Sequence, residues 1–393
     1  MKRYAALFLA LLLLTGCGSK STGFLPYEPA VQTSISLQTI SKRPSPSGQD
    51  LAVSDPRQQA VDTLLSQLTP EERVGQLFFA RCPAQEAASL AEEYHLGGYL
   101  LFGRDFKDKT VQEVQETIAS YQSSCTIPML IGVDEEGGSV VRVSSNPALA
   151  PSRFPSPQQL LSQQHSQGDI FAEDAWEKSN LLLSLGINVN FAPVADVSTN
   201  PDDFIYDRTL GQDARATASY VTSVVAAMQD CGIGSVLKHF PGYGNNTDTH
   251  TGIAVDERPY ETFLVSDFLP FQAGIAAGAD SILVSHNIVT SMDGTLPASL
   301  SPEVHRILRE NLDFHGVILT DDLAMDAIDQ YAQNGSAVVL ALLAGNDMIV
   351  TTDFTTQISQ VLGALEDGTL TMEQIDQAAA RVLGWKYDLG LIS

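Results

Sequence analysis

The sequence predicts an α/β fold, a TIM-type (β/α)8 barrel in a single domain. Three observations predict it. Short runs rich in Val, Ile, Leu and Phe alternate with longer amphipathic stretches over residues 57–393. Continuous apolar runs suit strands buried on both faces, and their alternation with helices implies a parallel sheet. Eight such runs can be counted, at residues 75–80, 98–102, 129–133, 187–194, 235–240, 281–284, 316–320 and 347–350. Several of them end in charged or polar residues, the end of a barrel strand at which sites are built. An open, doubly wound sheet is the structural alternative. No Gly-x-Gly-x-x-Gly follows the first run, so a dinucleotide fold has little support.

Residues 1–16 carry Lys2 and Arg3 and then an apolar run over residues 5–14. That run is shorter than the roughly 20 residues a spanning helix needs. A basic start, a short apolar core and small residues at the cut read as an export signal. Residues 17–56 are rich in Ser, Thr, Pro, Gln and Gly and have no apolar period. Such a segment buries too little surface to offset its ordering entropy, and it reads as a tether. The barrel then begins. Thr69-Pro70-Glu71-Glu72 is a capping box with Pro at the first helical position, and Ser301-Pro302-Glu303 marks another helix start.

Loss of the signal removes Lys2 and Arg3 and takes the net charge from −25 to −27. A body this acidic disfavours nucleic acid and other polyanions as main ligands and suits neutral substrates. The cysteines are Cys17, Cys82, Cys125 and Cys231, without a Cys-x-x-Cys spacing. No metal site is expected. With Cys17 set aside the number is odd, so at least one thiol stays outside any intrachain bridge; Cys82 and Cys125 are a candidate pair.

The strand ends hold the chemistry. The third run leads into Asp134-Glu135-Glu136-Gly137-Gly138, the fifth carries Lys238-His239, the sixth leads into Ser285-His286 and the seventh ends in Asp321-Asp322. Carboxylates, a lysine and histidines at such places are costly without partners or a polar ligand. Neighbouring side chains on a strand face opposite ways, so only one of Asp321 and Asp322 should face the barrel mouth. His286 fits a site wall and a satisfied buried histidine equally well.

Lys238-His239-Phe240-Pro241-Gly242-Tyr243-Gly244, followed by Asp248-Thr249-His250, resembles glycoside hydrolase family 3, in its bacterial β-N-acetylhexosaminidase branch. The resemblance runs over residues 70–385. It includes Gly132-Val133-Asp134-Glu135-Glu136-Gly137-Gly138, Phe191-Ala192-Pro193-Val194-Ala195-Asp196, Asp207-Arg208 and Gly316-Val317-Ile318-Leu319-Thr320-Asp321-Asp322-Leu323. It implies Asp321 as the nucleophile of a retaining exo-acting hydrolase, with His250 as acid and base and Asp248 as its partner. Asp322 is then a helix cap or packing partner. Asp134, Arg142, Arg208, Lys238 and His239 would hold the sugar, a terminal β-N-acetylglucosamine on a glycan or peptidoglycan fragment. No cofactor is implied, and the enzyme is expected to be a monomer. Two departures stand out. Tyr243 replaces the family's usual His, in a loop about one residue short, and Ser139 replaces an Arg after the glycines.

Leu14-Thr15-Gly16-Cys17 resembles the lipobox of bacterial lipoproteins. It implies lipidation at Cys17, the first mature residue, and an enzyme anchored to the cell membrane on its outer side, touching the membrane through the lipid alone. Three alternatives stay open: a phosphorylase using the same site, a β-glucosidase, and a sugar-binding lipoprotein without catalysis.

Overall fold

Eight strands follow one another in parallel register, each returned to the same end of the sheet by helix-bearing connections. The computed structural model describes residues 55–164, 168–244, 254–324, 328, 331 and 336–393. The barrel strands are β1 (Phe78–Arg81), β2 (Gly98–Leu101), β3 (Leu130–Val133), β4 (Val189–Asn190), β5 (Gly234–Phe240), β6 (Ser281–Val284), β7 (Val317–Thr320) and β8 (Ile349–Thr351). Their spatial order is β8-β1-β2-β3-β4-β5-β6-β7. The ring closes between β7 and β8 through the bridge of Leu319 to Met348. This is the expected (β/α)8 barrel.

Two strand boundaries differ from expectation. Gly75 and Gln76 belong to the helix Pro70–Gln76, so β1 starts at Phe78. The capping box of Thr69 and Glu72 starts that helix as expected, and its helical hydrogen bonds claim the first residues of the apolar run. The fourth run contracts from residues 187–194 to the two residues of β4. Pro193 has no N–H to donate to a ladder, and Val194 makes only an isolated bridge to Lys238.

The barrel interior is close-packed. Phe79 and Phe191 meet edge to face, with centroids 5.1 Å apart. They fill the space over Gly132, where a Cβ would stand 2.7 Å from Phe191 and 2.8 Å from Phe79. A glycine inside an apolar strand is thus explained by two aromatic rings sharing its place. Around the outside, the helices Ile170–Ser184, Ala214–Cys231 and Phe268–Ala276 pack side by side. The last helix, Met372–Asp388, brings Trp385 against Gly234 at the start of β5.

The candidate pair of Cys82 and Cys125 is not a disulfide; both are free thiols, as is Cys231. Cys82 is buried and its sulfur lies 3.6 Å from the Tyr121 hydroxyl. Burial pushes its thiol up to about 11, so it is protonated near neutrality and packs as a small apolar group.

Candidate active site

At the C-terminal end of the strands a cavity of about 410 Å³ opens. Asp134, Arg142, Arg208, Lys238, His239 and Asp321 all line it. Residues from β5 and from the loops after β3, β4 and β7 therefore converge, although they span nearly half the chain. Asp248, His250 and Cys17 lie outside the described residues.

The floor is a charge clamp. Lys238 Nζ stands 2.7 Å from Asp134 Oδ1 and 2.5 Å from Glu136 Oε1. Arg208 donates to Glu136 twice, through Nε at 3.0 Å and Nη2 at 2.8 Å. Burial pushes the Glu136 carboxyl up, but Arg208 and Lys238 outweigh it and hold the group well below the usual carboxylate range. Burial works against the Arg208 charge, and Glu136 with Asp134 and Asp196 more than restores it. Arg142 reaches Asp134 at 3.6 Å and lies over the Phe102 ring.

His239 is set by Asp196, a residue to which the sequence gives no distinct role. The Asp196 Oδ2 atom accepts from the His239 backbone N–H at 3.0 Å and lies 2.7 Å from Nδ1, while Oδ1 accepts from the Tyr243 N–H. The other ring nitrogen lies 3.2 Å from Arg208 Nη2. Lys238 and His239 are consecutive, yet both line the cavity. In a regular strand they would alternate. The register between β5 and β6 shifts between Leu237 and Phe240, and that irregularity turns both side chains to one side.

The loop after β3 is folded around Glu135. Its carboxylate accepts the N–H groups of Arg142 and Val143 at 2.8 Å and that of Ser144 at 3.2 Å, and it also takes the Ser144 hydroxyl. Glu135 is thus a structural carboxylate, while its neighbour Glu136 faces the cavity. The turn between them and Arg142 needs glycine. Gly137 has φ +105°, and a Cβ there would stand 2.1 Å from the Pro155 carbonyl oxygen.

Asp321 and Asp322 both contribute to the cavity wall, so the expected division into an inward and an outward residue is too sharp. The chain has left β7 at Thr320 and no longer alternates strictly. Their polar roles differ. Asp322 Oδ1 caps the Ala324 N–H at 3.0 Å and Oδ2 accepts from the Thr352 hydroxyl at 3.2 Å. Asp321 Oδ1 accepts from the Asp322 N–H at 2.9 Å. His286 is fully buried and does not line the cavity; its ring lies 2.7 Å from Ser299 Oγ and 3.0 Å from the Asp322 carbonyl.

Sequence reasoning did not single out Glu136 as a cavity ligand, nor Asp196, Arg81, Phe102 and Phe204. Asp196 carried a readable signal, since it follows an apolar run just as Asp134 does. Arg81 and Glu136 stand at strand ends as well, whereas the apolar Phe102 and Phe204 give no polar signal of a site.

Such a cavity, with carboxylates at several strand ends and a clamp of fixed cations, suits a polyhydroxylated ligand and acid–base or nucleophilic chemistry on it. Comparison with known proteins agrees. The model of the glycosyl hydrolase family 3 N-terminal domain matches residues 69–384. The chain is similar to the beta-hexosaminidase LpqI of Mycobacterium tuberculosis, 31% identical over 333 residues that cover 81% of this chain and 83% of the relative. It is also similar to a beta-hexosaminidase of Xanthomonas campestris pv. campestris, 32% identical over 299 residues that cover 74% and 87%. Among solved structures, that of Mycobacterium tuberculosis LpqI superposes with a TM-score of 0.74 at 29% identity, covering 82% of this chain and 95% of the other. A family 3 beta-N-acetylglucosaminidase from Paenibacillus sp. superposes with a TM-score of 0.74 at 30% identity, covering 82% of this chain and 63% of the other. With its strand-end carboxylates, its cavity and this match over most of its length, the chain belongs to glycosyl hydrolase family 3.

Proposed function

We propose that this chain is a retaining exo-β-N-acetylhexosaminidase that removes terminal β-N-acetylglucosamine from glycans or peptidoglycan fragments. One observation carries the reading above all: Asp321 shares a cavity with Asp134, Lys238, Arg208 and His239. That set provides a carboxylate to attack an anomeric carbon and fixed charges to grip the hydroxyls of the same sugar. The hexosaminidases to which the chain is similar support the amino-sugar substrate.

In this mechanism the Asp321 carboxylate attacks the anomeric carbon while the glycosidic bond breaks. His250, oriented by Asp248, gives its proton to the departing oxygen. In the second step the same imidazole takes a proton from water, and the water oxygen displaces Asp321. A histidine titrates near neutrality and suits both duties. Asp134 and Lys238, with Arg142, Arg208 and His239, hold the terminal sugar. The enzyme works without a cofactor, as a monomer, at the outer face of the cell membrane, tethered by lipid on Cys17.

The test is release of 4-nitrophenol from the N-acetyl-β-glucosaminide, compared with the β-glucoside, with and without phosphate. Strong preference for the N-acetyl donor, retained configuration and no dependence on phosphate are the expected result. Preference for the glucoside, or a sugar phosphate as product, would replace this reading.

A further inference from the structure

The clamp that would hold the terminal sugar is buried, with the Lys238 and Glu136 side chains each 3% exposed. The rest of any substrate must leave across the cavity rim. Phe204 lines that same cavity and is 42% exposed. It stands in the connection between β4 and the helix Ala214–Cys231, at the C-terminal end of the barrel.

The segment is fixed on both sides of Phe204, and one ring contact is made behind it. Its neighbour Asp203 accepts from Ser198 Oγ at 2.7 Å and from Asn200 Nδ2 at 3.1 Å. Its other neighbour, Ile205, is fully buried. Behind it stands Tyr243, with ring centroids 5.8 Å apart. Tyr243 is buried and in turn meets His239 edge to face at 5.4 Å. A line of rings thus runs from the charged floor to the rim and ends in the exposed Phe204.

We infer that Phe204 is a specificity-determining residue: a platform on which the leaving-group sugar stacks. A pyranose presents axial C–H groups on its face and hydroxyls at its edge. It can cover an aromatic face while its hydroxyls stay in water, so burial of apolar area is gained without stripping polar groups. Pre-positioning by Asp203, Ile205 and Tyr243 lowers the ordering cost of that contact. The inference rests on the proposed hydrolase and adds a second sugar-binding position to it.

The experiment compares Phe204→Ala with the unaltered protein on two donors. One is N,N′-diacetylchitobiose, whose leaving group is a pyranose. The other is N-acetyl-β-glucosaminyl fluoride, whose leaving group has no ring. For Phe204→Ala, kcat/KM on the disaccharide should fall about tenfold, the scale of one well-formed ring contact, while fluoride release changes less than about twofold. Phe204→Trp should keep disaccharide cleavage. Thermal melting of both variants checks that the rim substitution leaves the fold unchanged. Equal losses on both donors, or no loss on the disaccharide, overturn the platform. An unaltered protein that releases fluoride but leaves the disaccharide intact also overturns it and spares the hydrolase. If neither donor is cleaved, the hydrolase reading fails and the platform with it.

Discussion

Arg208 grips Glu136 through two parallel hydrogen bonds, at 3.0 and 2.8 Å, in the floor of the cavity. Lys238 reaches the same carboxylate at 2.5 Å and Asp134 at 2.7 Å. Two cations and two anions are therefore linked side by side and largely buried. Such a group is rigid, because each charge offsets the desolvation of its neighbours only while that geometry holds. It presents fixed donors and acceptors to a sugar without waiting for the sugar to organise them.

Glu136→Gln should expose that dependence. It removes the carboxylate that Lys238 and Arg208 share, and the unfolding free energy should drop by about 3 kcal/mol at pH 7. The Glu136 carboxyl is held below its ordinary value of 4.5 by Arg208 and Lys238, against burial. A depressed folded-state value contributes stability above the unfolded value and loses it as pH falls through the folded one. Urea unfolding should therefore show the gap between parent and variant widest near neutrality and narrowing below pH 4.5. A gap independent of pH would remove the charge argument.

A second pH effect lies on the opposite side of neutrality. Lys386 is fully buried and donates to Gln76 Oε1 at 2.6 Å. Burial lowers its amine from 10.5 to about 7, and the nearby Cys125 thiol opposes this only weakly. Between those values the unfolded chain holds a proton that the folded chain lacks, so stability due to this group rises with pH across the window. The slope for one proton is about 1.4 kcal/mol per pH unit. Urea titrations from pH 7 to 10 should show the parent gaining on Lys386→Met at up to that rate. Parallel curves would mean the lysine stays charged in the folded state.

Asp321→Ala should leave the melting temperature within a few degrees and abolish turnover. The side chain borders the cavity, so its removal leaves no cavity in the apolar core. Trapping with a fluorinated amino-sugar donor, followed by peptide mass analysis, should place the covalent sugar on Asp321. A label on Asp322, or an oxazoline in place of any label, would change the assigned nucleophile.

For His250→Ala, damage should grow with the basicity of the leaving group. A disaccharide needs its departing oxygen protonated and should suffer far more than a dinitrophenyl glycoside. Azide should restore part of the activity on the activated donor by attacking the glycosyl-enzyme, and the alkaline limb of the pH–rate profile should flatten. Asp248→Ala should give a milder form of the same pattern. Equal losses on good and poor leaving groups, without azide rescue, would move the acid role elsewhere.

Cys17→Ala should shift the protein from the membrane fraction to the soluble one. Fractionation followed by immunoblotting decides this, and a variant that stays with the membrane would end the lipid-anchor reading.

Much of the site was readable along the chain for one reason. In a parallel barrel every strand delivers its last residues to the same face, so polar residues that follow apolar runs must gather. Asp134, Lys238, His239 and Asp321 were found in this way, and the cavity unites them. The capping box at Thr69 was equally legible, because both of its hydrogen bonds are local. Contacts between distant segments were not. Cys82 and Cys125 suggested a bridge on their number alone, yet Cys82 turns to Tyr121.

By itself, then, the order of residues determined the barrel, its helix caps and the set of polar strand ends, since periodicity and capping act between near neighbours. Tertiary structure decided which of those polar groups face one another. It assigned Glu135 to the backbone of its own loop and Glu136 to Arg208 and Lys238, although the two are the same residue type side by side. It shifted the register in β5 so that Lys238 and His239 share a face, and it set Phe204 against Tyr243 at the rim. These choices rest on which charges can be desolvated together and which rings can share a space. Segments far apart in the chain settle both questions only when they meet.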